Sequence, residues 1–265
     1  MMTLSEIWIY PVKSLGGISL REAHTEERGL QDDRRWMVVD EENVFVTQRV
    51  LNKMALIGVE IQDAGLRIFH RHHEGDEVLV PREPVTGELL HVKVWDDIAE
   101  AVTVTREADE WLTRQLGKKV RLVVMPESTE RKADPRYAQY GENVSFADGF
   151  PYHLISQASL DDLNARLADP VTMRRFRPNL VVTGADPYAE DAWTYISIGD
   201  VRFQRVKPCA RCVLTTIDPQ TAEKGTEPLK TLATYRRMDK KVIFGQDFVL
   251  SNPGLIRIGD PVTLS

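Results

Sequence analysis

The chain has 265 residues, 42% of them hydrophobic and 28% charged, with a formal net charge of −6. That composition is ordinary for a globular protein, and the length allows one large β-rich domain or two smaller ones. The acidic balance argues against a nucleic-acid polymer as partner, since such binding is driven by Lys and Arg neutralising phosphates, but it leaves room for a local basic pocket that holds a small anion.

The first residues, Met1-Met2-Thr3-Leu4-Ser5-Glu6, lack the basic and apolar regions of a signal peptide. No stretch approaches the roughly 20 apolar residues of a membrane helix. The expectation is a cytoplasmic protein with reduced thiols and no membrane partner.

Ile7 and Ile9 face one way and Trp8 and Tyr10 the other, and Pro11 ends or bends that strand. Residues 36–40 and 44–47 flank Glu41-Glu42-Asn43 as a hairpin. Strands follow at 56–61, 66–69, 78–80 and 91–95, with a polar loop at 70–77. The first helix is expected from about Glu107 to Leu116, where Ala108, Trp111, Leu112 and Leu116 make one apolar stripe and Gly117 stands at the stop. A strand at 120–124 leads into a long polar loop at 128–143.

A second helix follows Ser156, an N-cap residue, and buries Leu160, Leu163 and Leu167. A third starts at Pro228 and runs to about Arg236. Further strands are expected at 180–183, 196–198, 201–205, 213–217, 248–250, 256–258 and 262–264. Ile196-Ser197-Ile198-Gly199-Asp200 and Ile256-Arg257-Ile258-Gly259-Asp260 echo one another as two tight turns of like chemistry, not as a repeat. Many short strands with about three helices predict a mixed α/β, β-rich fold without βαβ alternation. The domain boundary falls near the first helix, at 105–122.

The only two cysteines, Cys209 and Cys212, form a C-x-x-C flanked by Lys207 and Arg211. Neighbouring cations favour the thiolate, which is the nucleophile and metal ligand. A structural zinc site needs four ligands, and the clustered His70, His72 and His73 lack the spacing to complete one. A cysteine-ligated iron–sulfur cluster fails on the same count. A thioredoxin-like redox pair usually opens a helix, whereas the β-branched Val213-Leu214-Thr215-Thr216-Ile217 reads as a strand. Lys207 and Arg211 would then have to stabilise the thiolate. Two buried small hydrophobes are the remaining reading.

The fuller segment Cys209-Ala210-Arg211-Cys212-Val213-Leu214-Thr215-Thr216-Ile217-Asp218-Pro219 resembles the signature of MOSC-domain proteins (molybdenum cofactor sulfurase C-terminal domain). The subgroup is that of the mitochondrial amidoxime-reducing component and its bacterial relatives. Ile9-Tyr10-Pro11-Val12-Lys13-Ser14, Asp33-Arg34-Arg35-Trp36, Val144-Ser145-Phe146-Ala147-Asp148-Gly149-Phe150-Pro151, Phe176-Arg177-Pro178-Asn179, Phe244-Gly245-Gln246 and Asn252-Pro253-Gly254 are similar to further family blocks, in the family's order and across nearly the whole chain. The resemblance implies a MOSC-associated N-terminal β-rich domain at 1–120 and a MOSC β-barrel at 121–265 with a few flanking helices.

It also implies a molybdenum cofactor, a pterin dithiolene carrying a phosphate, with Cys212 on the metal and Cys209 a neighbour. Pyridoxal phosphate is not expected. The family's cofactor contacts fall on Lys13, Ser14, Arg34, Arg177, Asn179 and Arg211, in a cleft between the domains. Their chemistry is sensible on its own, because guanidinium groups fork onto phosphate oxygens and Ser and Asn give directional hydrogen bonds. Asp148 maps to a carboxylate near the metal, either as a proton relay or as a turn cap. Trp36 and Phe146 read as core.

Two departures stand out. Asp247 replaces a tyrosine of the mitochondrial enzymes and would repel a phosphate. Ala210 replaces a small hydroxyl residue. The implied function is molybdenum-dependent reduction of small N-hydroxylated compounds, such as amidoximes, to N–H products. Electrons would come from an external donor protein (a flavoprotein reductase, a ferredoxin or a cytochrome b5-like protein), since the four cysteines of a ferredoxin domain are lacking. A carrier of the cofactor or its sulfur would use the same residues, and a thiol–disulfide oxidoreductase using both cysteines is the third reading.

Overall fold

The computed structural model describes residues 1–138 and 141–264. Gln139 and Tyr140, inside the loop expected at 128–143, and Ser265 lie outside the described residues. Seven strands close into a barrel in the order Tyr152–Ser156, Leu180–Thr183, Met2–Ile9, Pro261–Leu264, Tyr195–Ile198, Val201–Arg211 and Lys241–Leu250, and the last pairs back onto the first. Only the pair Tyr152–Ser156 with Leu180–Thr183 is parallel.

Strand alternation decides what fills the barrel. Tyr152, Leu154, Leu180 and Val182 point into one buried cluster with Leu4, Phe203 and Phe248. Ile155 and Val181, one residue out of phase, join an outer cluster with Leu160, Leu163, Leu232 and Phe244. The outer cluster is roofed by two helices, α2 (Gln157–Asn164) and α3 (Leu229–Tyr235). The Ser156 side chain caps α2 by accepting from Ser159 N. Pro228 and Arg236 flank α3, and Leu167 packs at the edge of the same cluster.

A four-stranded sheet follows the order Trp36–Val39, Arg121–Val124, Asp97–Thr103, Leu89–Val94. The strand at Asp97–Thr103 was not anticipated from the sequence. The expected hairpin around residues 41–43 is present, but its return arm pairs only through isolated contacts such as Val39 with Phe45. The helix Arg106–Leu116, α1, is capped by Thr105 and stopped by Gly117 in a left-handed conformation. Its stripe of Ala108, Trp111, Leu112 and Leu116 packs on Ile57, Val59, Leu66, Ile68 and Val80 from a three-stranded sheet. Trp36 lies in that core and Phe146 in the core of the four-stranded sheet.

Chain order and spatial grouping diverge. Met2–Ile9 is a barrel strand between two C-terminal strands, and Arg121–Val124 pairs with Trp36–Val39. One sequence expectation is overturned: residues 213–217 are not a strand. The strand Val201–Arg211 ends at Arg211, and Val213–Thr216 make one turn of 3-10 helix. Thr215 and Thr216 turn their hydroxyls back onto the carbonyls of Cys212 and Val213, so local side-chain hydrogen bonds prevail over β-propensity. No helix among the described residues is long and apolar enough to cross a membrane.

Candidate active site

The segments that carry the expected site residues are laced together by their backbones. Lys13 N donates to Trp36 O, Arg34 N to Tyr10 O and Phe146 N to Arg34 O. This brings the loop after Met2–Ile9, the turn before Trp36–Val39 and the approach to Tyr152–Ser156 to one edge of the barrel. The end of the strand Val201–Arg211 arrives at the same edge and delivers Arg211 and Cys212.

One cleft of about 660 Å³ results, and Lys13, Ser14, Arg34, Asp148, Arg177, Asn179, Arg211 and Cys212 all line it. Its walls hold seven cationic side chains (Lys13, Arg34, Arg49, Arg177, Lys207, Arg211 and Lys241) and three carboxylates (Asp96, Asp148 and Asp247). In a chain of net charge −6, this is a strong local concentration of positive charge. Ser14, Arg34, Trp95 and Arg177, all on the cleft wall, have backbone φ between 52° and 67°. That left-handed region costs a non-glycine residue of order 1 kcal/mol, and such strain clusters at functional sites.

A carboxylate organises one wall. Asp148 accepts from Lys13 Nζ at 2.5 Å, from an Arg49 terminal nitrogen at 2.6 Å and from Trp95 Nε1 at 3.2 Å. Its carboxylate is thus used in ion pairing. Partial desolvation would raise its pKa, but the side chain is half exposed, and Lys13 and Arg49 hold it well below the usual carboxylate range. Lys13 is buried and also donates to Phe146 O. Burial lowers its pKa to about 8, with Asp148 opposing the shift.

Arg49 completes the link to sulfur, donating from Nε to Cys212 Sγ at 3.2 Å while its guanidinium lies over the Trp95 ring. The cation beside Cys212 is therefore Arg49, a residue that sequence reasoning missed. It sits in a polar stretch after the hairpin with no motif spacing to mark it. Lys207, expected to serve the cysteines, instead lies over the rings of Tyr137 and Phe150.

Cys209 has a different environment. Arg211 donates to its Sγ at 3.0 Å and to Phe176 O at 2.7 Å. Burial pushes the Cys209 thiol up to about 12, against the pull of Arg211. The same Arg211 nitrogen meets His153 Nε2 at 2.9 Å. A guanidinium only donates, so Nε2 is the acceptor and the imidazole proton sits on Nδ1. Nδ1 faces Asp247 at 3.2 Å. Asp247, which the sequence presented as a bare repulsive charge, is thus turned toward His153.

The remaining expected residues do structural duty as well. Asn179 is saturated: its oxygen accepts from Arg34 and His153 N, and its nitrogen donates to Trp8 O and Asp33. Arg34 is held by Asp33 at 2.5 Å. Arg177 donates to Leu15 O and stacks on Tyr10 at 4.0 Å, and burial pulls its guanidinium down to about 10. Ser14 O accepts from Gln48. The buried Nε of Arg211 has no partner among the described residues.

Comparison with known proteins agrees with this architecture. The MOSC N-terminal beta barrel domain matches residues 1–119 and the MOSC domain residues 141–263. Mitochondrial amidoxime-reducing component 1 of Mus musculus is 38% identical over 99% of this chain and 82% of its own length. The Homo sapiens protein of the same name is 36% identical over the same shares. Among solved structures, the YuaD protein of Bacillus subtilis aligns over 99% of this chain and 94% of its own, at 9% identity and a TM-score of 0.45, too distant to carry weight. The ordered sequence blocks, the barrel and the near-full-length identity agree, and the chain belongs to the MOSC-domain family, with the MOSC N-terminal domain preceding the MOSC domain.

Proposed function

We propose that the cleft holds a molybdenum cofactor and that the protein is a reductase of small N-hydroxylated compounds. The observation that carries this reading is the convergence of all eight expected site residues, Cys212 among them, on one cation-rich cleft. The donor set fits the group. A partly exposed thiol beside a guanidinium suits a soft metal, the excess of cations suits a phosphate and a dithiolene, and the orphaned Arg211 Nε offers one more donor.

In this reading Cys212 is the protein ligand to the metal, with Arg49 supporting its thiolate. Arg177, Arg211, Arg34 and Ser14 hold the pterin and its phosphate. The bound cofactor supplies the two-electron redox centre, and the protein supplies position and electrostatics. Reduction of an N–OH group to N–H consumes two electrons and two protons and releases water. Lys13, buried and paired with Asp148 on the cleft wall, is placed to deliver a proton toward the substrate oxygen. Asp148 stays ionised and steadies Lys13 and Arg49. In this reading electrons come from a donor protein of the flavoprotein, ferredoxin or cytochrome b5-like type.

The test is metal and pterin analysis of wild type and Cys212→Ser made in a host that makes the cofactor, followed by turnover of an amidoxime with a chemical reductant. Wild type should carry molybdenum and turn over, and the variant should do neither. Equal molybdenum in both would overturn the assignment of Cys212. Loading without turnover would indicate the carrier reading instead.

A further inference from the structure

A second pocket shares Arg177 and Leu214 with the cleft but is otherwise separate, formed against Trp8, Gly16 and Gly17. Its lining contains four arginines, Arg71, Arg174, Arg175 and Arg177, and no carboxylate. Two of the four are engaged. Arg175 pairs with Asp218 at 2.8 Å, and Arg177 donates to Leu15 O at 2.7 Å.

Arg71 and Arg174 are less engaged, Arg174 feeling the Asp218 charge only at longer range. Neither side chain makes a hydrogen bond or an ion pair among the described residues, and Arg71 Nε is buried without a partner. Arg71 lies so close to Gly16 that any side chain at that position would collide with its guanidinium. Burial and the neighbouring Arg174 charge both lower the Arg71 pKa, with no acid opposing them. A buried polar group without a partner costs free energy, and like charges held together add to that cost. An anion between them would remove both penalties.

We propose that this pocket binds a phosphate group at its mouth, with one oxygen inserted between the guanidiniums of Arg71 and Arg174. Planar guanidiniums fork onto phosphate oxygens through paired charge-assisted hydrogen bonds. The enclosed volume of about 20 Å³ admits about one water-sized group, so one oxygen enters and the rest of the anion stays at the mouth. The ligand is inorganic phosphate or the terminal phosphate of a small ester. It would tie the turn after the strand Gly65–His70 to the short helical turn Met173–Arg175, two segments on opposite sides of the family's domain division. The site stands whether or not the neighbouring cleft holds a cofactor.

The experiment is calorimetric titration of the full chain at low salt with inorganic phosphate and, separately, glycerol 3-phosphate. It is run on wild type, Arg71→Gln, Arg174→Gln and Arg211→Gln, the last of which lines only the cleft. Removing one charged donor should weaken phosphate binding to this pocket about tenfold in R71Q and R174Q, whereas R211Q should weaken only a separate binding event in the cleft. Comparable binding of both ligands assigns the site to phosphate esters; binding of inorganic phosphate alone assigns it to the free anion. Absence of binding in wild type, or affinity lowered by R211Q and untouched by R71Q and R174Q, overturns the proposal. Should R71Q fail to fold, R174Q, whose side chain is only partly buried, decides.

Discussion

Arg49 joins Cys212 to Asp148: its Nε donates to Cys212 Sγ at 3.2 Å, and a terminal nitrogen holds the Asp148 carboxylate at 2.6 Å. The thiol proposed to bind the metal is thereby tied to a carboxylate that also holds Lys13. A hydrogen bond to a charged group contributes roughly 1.5–3 kcal/mol. Arg49→Gln should therefore reduce retained molybdenum about tenfold or more under dilution, while Arg49→Lys should recover part of it. Metal content after gel filtration checks this, and equal retention in R49Q and wild type would count against the pairing.

The two cysteines should differ. With its thiol pushed up to about 12 by burial, Cys209 stays neutral through the physiological range and should resist alkylation by iodoacetamide until pH approaches 11. Cys209→Ser should keep most of its cofactor and activity, whereas Cys212→Ser should lose both. Mass spectrometry of the alkylated peptide and parallel metal analysis test the pair. Equal damage from both substitutions would favour the thiol–disulfide reading.

Lys13 makes stability depend on pH in a direction opposite to that of most paired lysines. Its folded pKa, about 8, lies below its ordinary value of 10.5. Between these values the unfolded state binds the extra proton, so stability contributed by this group rises with pH. Urea unfolding at pH 7 and pH 10 should show wild type gaining more stability with pH than Lys13→Met. A difference near zero between the two would show that Lys13 is not desolvated as the geometry requires.

Asp148 should not appear in the pH–rate profile. Lys13 and Arg49 outweigh the effect of burial and keep it ionised throughout the accessible range, so any acidic limb above pH 4 belongs to another group. Asp148→Asn removes two ion pairs at once and should lower kcat/KM by about 10- to 100-fold. An acidic limb that vanishes in D148N would instead make Asp148 a titrating proton relay.

Much of this molecule was legible from local pattern. The stripe Ala108, Trp111, Leu112 and Leu116 and the stop at Gly117 mark α1 because helix periodicity and the left-handed cap are properties of adjacent residues. Family blocks in order pointed to the residues that line the cleft. Only the tertiary structure decided that the strand Met2–Ile9 closes a barrel of C-terminal strands, because pairing over such sequence distances leaves no local trace. The turn at 213–216 eluded the sequence because threonine favours strands in general, yet here its hydroxyls found carbonyls three residues back. Arg49, Trp95 and His153 eluded it for the same physical reason as the barrel. Each acquires its role from a partner about 50 residues away or more, and the chemistry of a guanidinium, an indole or an imidazole is set by what the fold places beside it.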